Sequence, residues 1–162
     1  MNLSERLKEI GIEWPELPHP PSYYYKQLYD DHSPSIARAD DLLFVTALPL
    51  VGGEPHKSGR LGVEVSVEEG NECAQRAAVS ALYEIEHAIG NLDDIECFVQ
   101  MTGFVASVPG FSDQPKVMNG ASDLFIAVLG ERGKHSRASI GCASLPGNNP
   151  MALALIAKVK PE

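Results

Sequence analysis

Arg137 stands at the start of a strand-like run, directly after the polar loop Gly130-Glu131-Arg132-Gly133-Lys134-His135-Ser136. At a strand end a guanidinium can face a cleft, where its planar fork holds a carboxylate through two parallel hydrogen bonds. The same side chain in a surface ion pair would contribute only about 0–1 kcal/mol, and spacing alone leaves both readings open. The other residues with reactive side chains are dispersed. His19, His32, His56, His87 and His135 share no i,i+4 pairing, so each reads as solvent-facing or structural, and no metal site is expected. Cys73, Cys97 and Cys142 lack a CxxC spacing. They therefore suggest neither a disulfide framework nor a cysteine zinc site, and read as small buried hydrophobes. No P-loop, GxGxxG, HExxH or GxSxG pattern occurs, which removes the common nucleotide, dinucleotide, zincin and esterase signatures and leaves no cofactor expected.

These residues need a scaffold, and the composition says what kind. The chain has 162 residues, 44% hydrophobic and 22% charged, with 22 Asp plus Glu against 13 Lys plus Arg for a net charge of −9. One folded domain over residues 1–162 fits, since soluble domains most often hold roughly 100–150 residues. The acidic balance argues against a surface that neutralises nucleic-acid phosphates or anionic lipid, so neither a nucleic-acid nor a membrane partner is expected. No apolar run approaches the ~18 residues that cross a bilayer. Residues 1–10 contain no cleavable hydrophobic stretch, so the expected location is cytoplasmic.

Leu3, Leu7 and Ile10 predict a short helix ended by Gly11, and Pro15, Pro18, Pro20 and Pro21 then predict an extended arm, so residues 1–35 read as a helix and a Pro/Tyr-rich arm. Residues 41–50 read as a strand turned by Gly52-Gly53. Ser66, three residues before Glu69, has the spacing of a capping box, and Ala74, Ala77, Ala78, Ala81, Leu82 and Ile85 recur at helical spacing until Gly90. Residues 95–106 read as a buried strand and 113–129 as a second helix; strands over 137–143 and 151–159 close the chain. This order gives a sheet with both long helices on one face. Met151-Ala152-Leu153-Ala154-Leu155-Ile156-Ala157 is apolar throughout, so both of its faces should be buried, and a second copy of the chain is the simplest cover for the face the helices leave open.

From Leu61 to Val159 the chain resembles the Rid (reactive intermediate deaminase) family, also called the YjgF or endoribonuclease L-PSP-like family. The resemblance rests on Glu69-Gly70, Gly90-Asn91-Leu92-Asp93-Asp94-Ile95, Pro115-Lys116-Val117-Met118-Asn119-Gly120 and above all Arg137-Ala138-Ser139-Ile140-Gly141-Cys142-Ala143-Ser144-Leu145-Pro146. It implies an α+β, chorismate-mutase-like fold with a mixed sheet and two long helices on one face, assembled as a homotrimer with small-molecule sites in the clefts between subunits. In family deaminases the arginine matched by Arg137 grips the carboxylate of an enamine or imine, the residue matched by Ser139 lines the pocket, and Asn119 matches an asparagine near it. Water attacks the imine carbon and ammonia leaves. A tyrosine near the N-terminus often joins the pocket, a part for which Tyr23, Tyr24 or Tyr25 is available.

Two departures from the family pattern bear on activity. Where family deaminases carry a glutamate fifteen residues after the arginine, this chain has Ala152, and Ala154 stands at the second glutamate of that strand. Loss of a positioned proton-transfer group typically costs ~10²–10⁴-fold in rate, so hydrolysis needs another acid/base such as His135 or a tyrosine. The strand around Thr46-Ala47-Leu48-Pro49 also lacks the family's Ser-Gly. Ala47 has none of glycine's backbone freedom, so the pocket wall there, with Thr46 as its candidate binding residue, is reshaped. The expectation is an enzyme acting on a small carboxylate-bearing enamine or imine; the alternative is a ligand-binding or regulatory trimer that performs no hydrolysis. An RNA-cleaving role fits the charge poorly.

Overall fold

The computed structural model describes residues 1–12 and 34–161. The Pro-rich arm and Tyr23, Tyr24 and Tyr25 lie outside the described residues. Asn2 caps the first helix, α1 (Leu3–Glu9), accepting from the Glu5 N–H while the Glu5 carboxylate accepts from the Asn2 N–H. Leu3 and Leu7 are buried, and the Leu3 N–H donates to Glu86 Oε1 at 2.7 Å. Arg6 and Arg132 both reach Asp93, at 2.6 and 3.3 Å. Their hydrogen bonds, Arg6 first, hold the Asp93 carboxyl below the usual carboxylate range.

Two long helices form the covering layer. α2 (Val67–Ile89) starts on the expected capping box, with Ser66 accepting from the Glu69 N–H at 3.1 Å and Glu69 accepting from the Ser66 N–H at 3.0 Å. It stops at Gly90, whose φ of 81° is the left-handed cap conformation that glycine adopts without strain. α3 (Gln114–Leu129) follows Asp113, with Pro115 in its first turn, where the missing N–H costs nothing. The helices come close at Gly120. Ala74, Ala77, Ala78 and Ala81 are fully buried on α2, and a side chain on Gly120 of α3 would run into the Asn71 carbonyl. Asn71 Nδ2 also donates to the Lys116 carbonyl at 3.0 Å, bridging the helices.

The sheet beneath is five-stranded and mixed. β1 (Ile36–Ala39) and β2 (Leu42–Ala47) form a hairpin through Asp40, and β3 (Leu50–Val51) and β4 (Glu54–Pro55) a small separate one. β5 (Ile95–Ala106), β6 (Ser136–Cys142) and β7 (Met151–Val159) complete the sheet, in the order β1-β2-β7-β5-β6. β6 is an edge strand and pairs in parallel with β5, the crossover being α3; all other pairings in this sheet are antiparallel. This is the expected α+β architecture. No helix among the described residues is long and apolar enough to cross a membrane.

β7 departs from its expected burial. Met151, Leu153, Leu155, Ala157 and Val159 are buried under the helices, whereas Ala152, Ala154, Ile156 and Lys158 are only half-buried. Within one chain the second face stays partly open: Phe44, paired with Ile156, is 44% exposed, and Ile140, in the row of Phe104 and Ala152, is 46% exposed. β1 was not anticipated, because four residues that include Arg38 carry too weak a pattern.

The close helix contact is directly testable. Gly120→Ala must push α3 off the Asn71 carbonyl, and overpacking of this kind costs about 1–3 kcal/mol. Thermal unfolding should move down by roughly 2–12 °C; an unchanged Tm would show that the helices can slide apart freely.

Candidate functional site

The β5–β6 register decides which side chains meet α3. Arg137 pairs with Met101, Ser139 with Gly103 and Gly141 with Val105, and all three partners on β5 are buried on the helix face. Alternation then puts Arg137, Ser139 and Gly141 on that same face at the open edge of the sheet. Asn119 and Ser122 stand three residues apart on α3, hence on one side of the helix. The two rows converge. Arg137 Nη1 donates to Asn119 Oδ1 at 3.0 Å and to Ser122 Oγ at 3.1 Å, and Nη2 donates to the Pro115 carbonyl at 3.4 Å. Ser139, half-buried, follows about 6.6 Å further along the strand, two residues at 3.3 Å each.

None of the three oxygens that receive Arg137 is ionised. Among the described residues no carboxylate pairs with this guanidinium, although Arg6, Arg132, Lys134, Lys158 and Lys160 all have acidic partners. Among the described residues, the surface ion pair left open by spacing is not formed. Arg137 is half-buried, fixed in direction and, among the described residues, uncompensated in charge. An anionic group can approach it without displacing a salt bridge to any described residue, which is the arrangement of an anion receptor.

His135 joins the cluster through Ser122. Its Nδ1 lies 2.7 Å from the Gly133 carbonyl and its Nε2 lies 3.0 Å from Ser122 Oγ, while its ring stacks edge-on against Phe125 with centroids 5.8 Å apart. Burial, with the Arg137 charge adding to it, holds the imidazole pKa below the ordinary histidine value, although the Gly133 carbonyl pulls the other way. The neutral form of the ring is favoured. With both nitrogens engaged, His135 is linked to Arg137 by way of the Ser122 hydroxyl.

Of the expected site residues, the fold brings Arg137, Asn119, Ser139 and His135 to one place. Thr46 is not brought there within one chain. It pairs with Ala154, which pairs with Thr102, so it projects from the opposite, open face. Three strand spacings separate β2 from β6, about 14 Å at ~4.8 Å per step. Ala152 and Ala154, at the positions of the missing glutamates, lie on that open face too, and Ala152 packs against Leu48 and Leu50. Ser122 and the Pro115 carbonyl were missed by sequence reasoning; the i,i+3 spacing of Ser122 from Asn119 was the available signal. The cysteines stay apart from the cluster: burial pushes the Cys73 thiol up to about 12 and also raises Cys142. Among the described residues, no three His, Cys, Asp or Glu side chains gather as a metal site.

The same architecture occurs in known proteins. A family model described as "YjgF/chorismate_mutase-like, putative endoribonuclease" matches residues 5–159. Protein Atu1372 of Agrobacterium tumefaciens, solved with its function unknown, is 34% identical, covering 96% of this chain and 90% of that one with a TM-score of 0.82. A structure from Shewanella oneidensis MR-1 under the same endoribonuclease description has a TM-score of 0.84 at 24% identity, covering 98% and 100% of the two chains; at that identity it shows the fold alone. Protein TCP17 of Trypanosoma cruzi is 40% identical over 90 residues, 55% of this chain and 56% of that protein. The matched stretch is thus about half the length of that curated relative.

The His135 environment has a pH signature. Its folded-state pKa is depressed, so its contribution to stability is present above the unfolded value of ~6.5 and is lost as pH falls through the lower folded value. In Tm measured against pH, wild type should lose stability on the acid side with a component that His135→Gln lacks. Superposable acid limbs would show that the ring does not titrate there.

Proposed function

The chain belongs to the YjgF/chorismate mutase-like family, and on that premise we propose that it binds a small carboxylate-bearing enamine or imine at Arg137 and hydrolyses it to the carbonyl compound and ammonia. The observation that carries this reading is the guanidinium itself, held on Asn119, Ser122 and Pro115 with no carboxylate partner among the described residues. A substrate carboxylate supplies the missing negative charge, Asn119 and Ser139 give the pocket polarity, and His135 takes a proton from the attacking water by way of the Ser122 hydroxyl. In a chain of net charge −9, an anion is attracted by a local positive site and not by the global field.

We also propose the homotrimer. Arg137 sits on a strand edge and Thr46 on the open face of the sheet, so a cleft lined by both requires two copies of the chain. The exposed Phe44 and Ile140 on that face give such a contact apolar surface to bury. A cytoplasmic location and a single domain over residues 1–162 accompany this reading.

A second reading is favoured by one observation: Ala152 and Ala154 leave the open face without the glutamates of family deaminases. The protein then binds its carboxylate ligand and does not hydrolyse it. The endoribonuclease description that accompanies the family is the weakest fit, because phosphate contacts call for clustered Lys and Arg.

Ammonia release from freshly generated 2-iminopropionate distinguishes the two. Hydrolysis predicts acceleration over buffer, and Arg137→Ala should raise KM roughly 100-fold, the order set by a charge-assisted hydrogen bond of about 1.5–3 kcal/mol. Folded protein that gives no acceleration favours the non-hydrolytic binder. In that case a gain of activity in Ala152→Glu would show that only the acid/base was missing.

A further inference from the structure

Ser122 has three neighbours that together define its chemistry. The Gly133 carbonyl can only accept, so the contact at 2.7 Å fixes the proton of the neutral His135 ring on Nδ1 and leaves a lone pair on Nε2. The Ser122 hydroxyl, 3.0 Å from that lone pair, therefore donates to it. Arg137 Nη1 can only donate, and at 3.1 Å it places positive charge on the same oxygen. A serine in mid-helix ordinarily turns its hydroxyl to the carbonyl one turn back; this one is turned outward to a base. Nucleophile, base and an acceptor that orients the base are in hydrogen-bond sequence, with a cation beside the oxygen where alkoxide charge develops.

We propose that Ser122 is a nucleophile activated by His135 and that the chain cleaves a small ester or thioester by acyl transfer to Ser122 Oγ. The Oγ–H proton passes to His135 Nε2 as Oγ bonds to the acyl carbon, and the carbonyl electron pair moves onto its oxygen beside the Arg137 guanidinium. Collapse of that adduct breaks the C–O or C–S bond, and His135 Nε2–H returns the proton to the leaving alcohol or thiol. Water then repeats the sequence on the acyl-serine, releasing a carboxylic acid and restoring the hydroxyl. Ser122 and His135 are half-buried beside the sheet edge, so the oxygen is shielded but not sealed. The charged group facing the ring is Arg137 on β6; from α3 the ring meets the Ser122 hydroxyl and the Phe125 edge, neither of them charged. No nucleophile-elbow motif announces this site, because the serine lies within a helix and its base on the incoming strand.

The inference stands apart from imine hydrolysis, which is read out separately as ammonia. The full-length protein is treated with a fluorophosphonate probe and the adduct is located by peptide mass spectrometry, with circular dichroism confirming the fold of each variant. The expected result is phosphonylation of Ser122, absent in Ser122→Ala and roughly 10²-fold slower in His135→Gln. The wild-type labelling rate should rise with pH to a plateau, its midpoint below the ordinary histidine value of ~6.5, a test that holds even if a variant misfolds. No adduct at Ser122 in folded protein would overturn the proposal. So would labelling as fast in His135→Gln as in wild type, or a rate that keeps climbing toward the alkaline range with no plateau.

Discussion

The guanidinium of Arg137 rests on oxygens that carry no formal charge, and the chemistry of its surroundings follows from how that cation is held. Half-buried charge is costly unless hydrogen bonds replace water, and here a helix carboxamide, a helix hydroxyl and a backbone carbonyl do so. They fix its direction without cancelling its charge. Had one acceptor been an aspartate, the group would have closed into a structural salt bridge, as Arg6 and Arg132 do on Asp93. The neutral shell is what leaves Arg137 available to a ligand.

That shell exists because two packing decisions coincide. The parallel pairing of β6 with β5 sets Arg137 opposite Met101, hence on the helix side, and a one-residue slip would turn it to the other face. The close approach of α3 to α2, permitted by Gly120, fixes the height at which Asn119 and Ser122 meet the strand. The open face of the sheet carries the opposite consequence. Thr46, Ala152 and Ala154 share it, away from Arg137, so the residues that the family resemblance groups as one pocket divide between two surfaces of a single chain. The proposed trimer is the arrangement that reunites them.

Much of this was legible in the sequence, and for identifiable reasons. Ser66 with Glu69 and the terminal Gly90 carry their own capping chemistry, and the long apolar runs at 95–106 and 151–159 are too strongly patterned to be anything but strands. Arg137 and Asn119 were legible through motif resemblance, though not the contact between them. Register and face were not legible. The placement of Thr46 depends on which residue of β7 it opposes, a long-range pairing that no local pattern encodes. Ser122 escaped for a related reason: its partners lie 13 and 15 residues away, and a lone serine on a helix has no signature.

The central claim, that Arg137 is a carboxylate receptor, is met most directly by a crystal structure grown with a saturating, unreactive 2-oxo acid. The ligand carboxylate should lie within hydrogen-bond distance of the Arg137 guanidinium, with Asn119 and Ser139 nearby. A carboxylate bound elsewhere, with Arg137 still directed at Asn119 and Ser122 and no ligand against it, would contradict it.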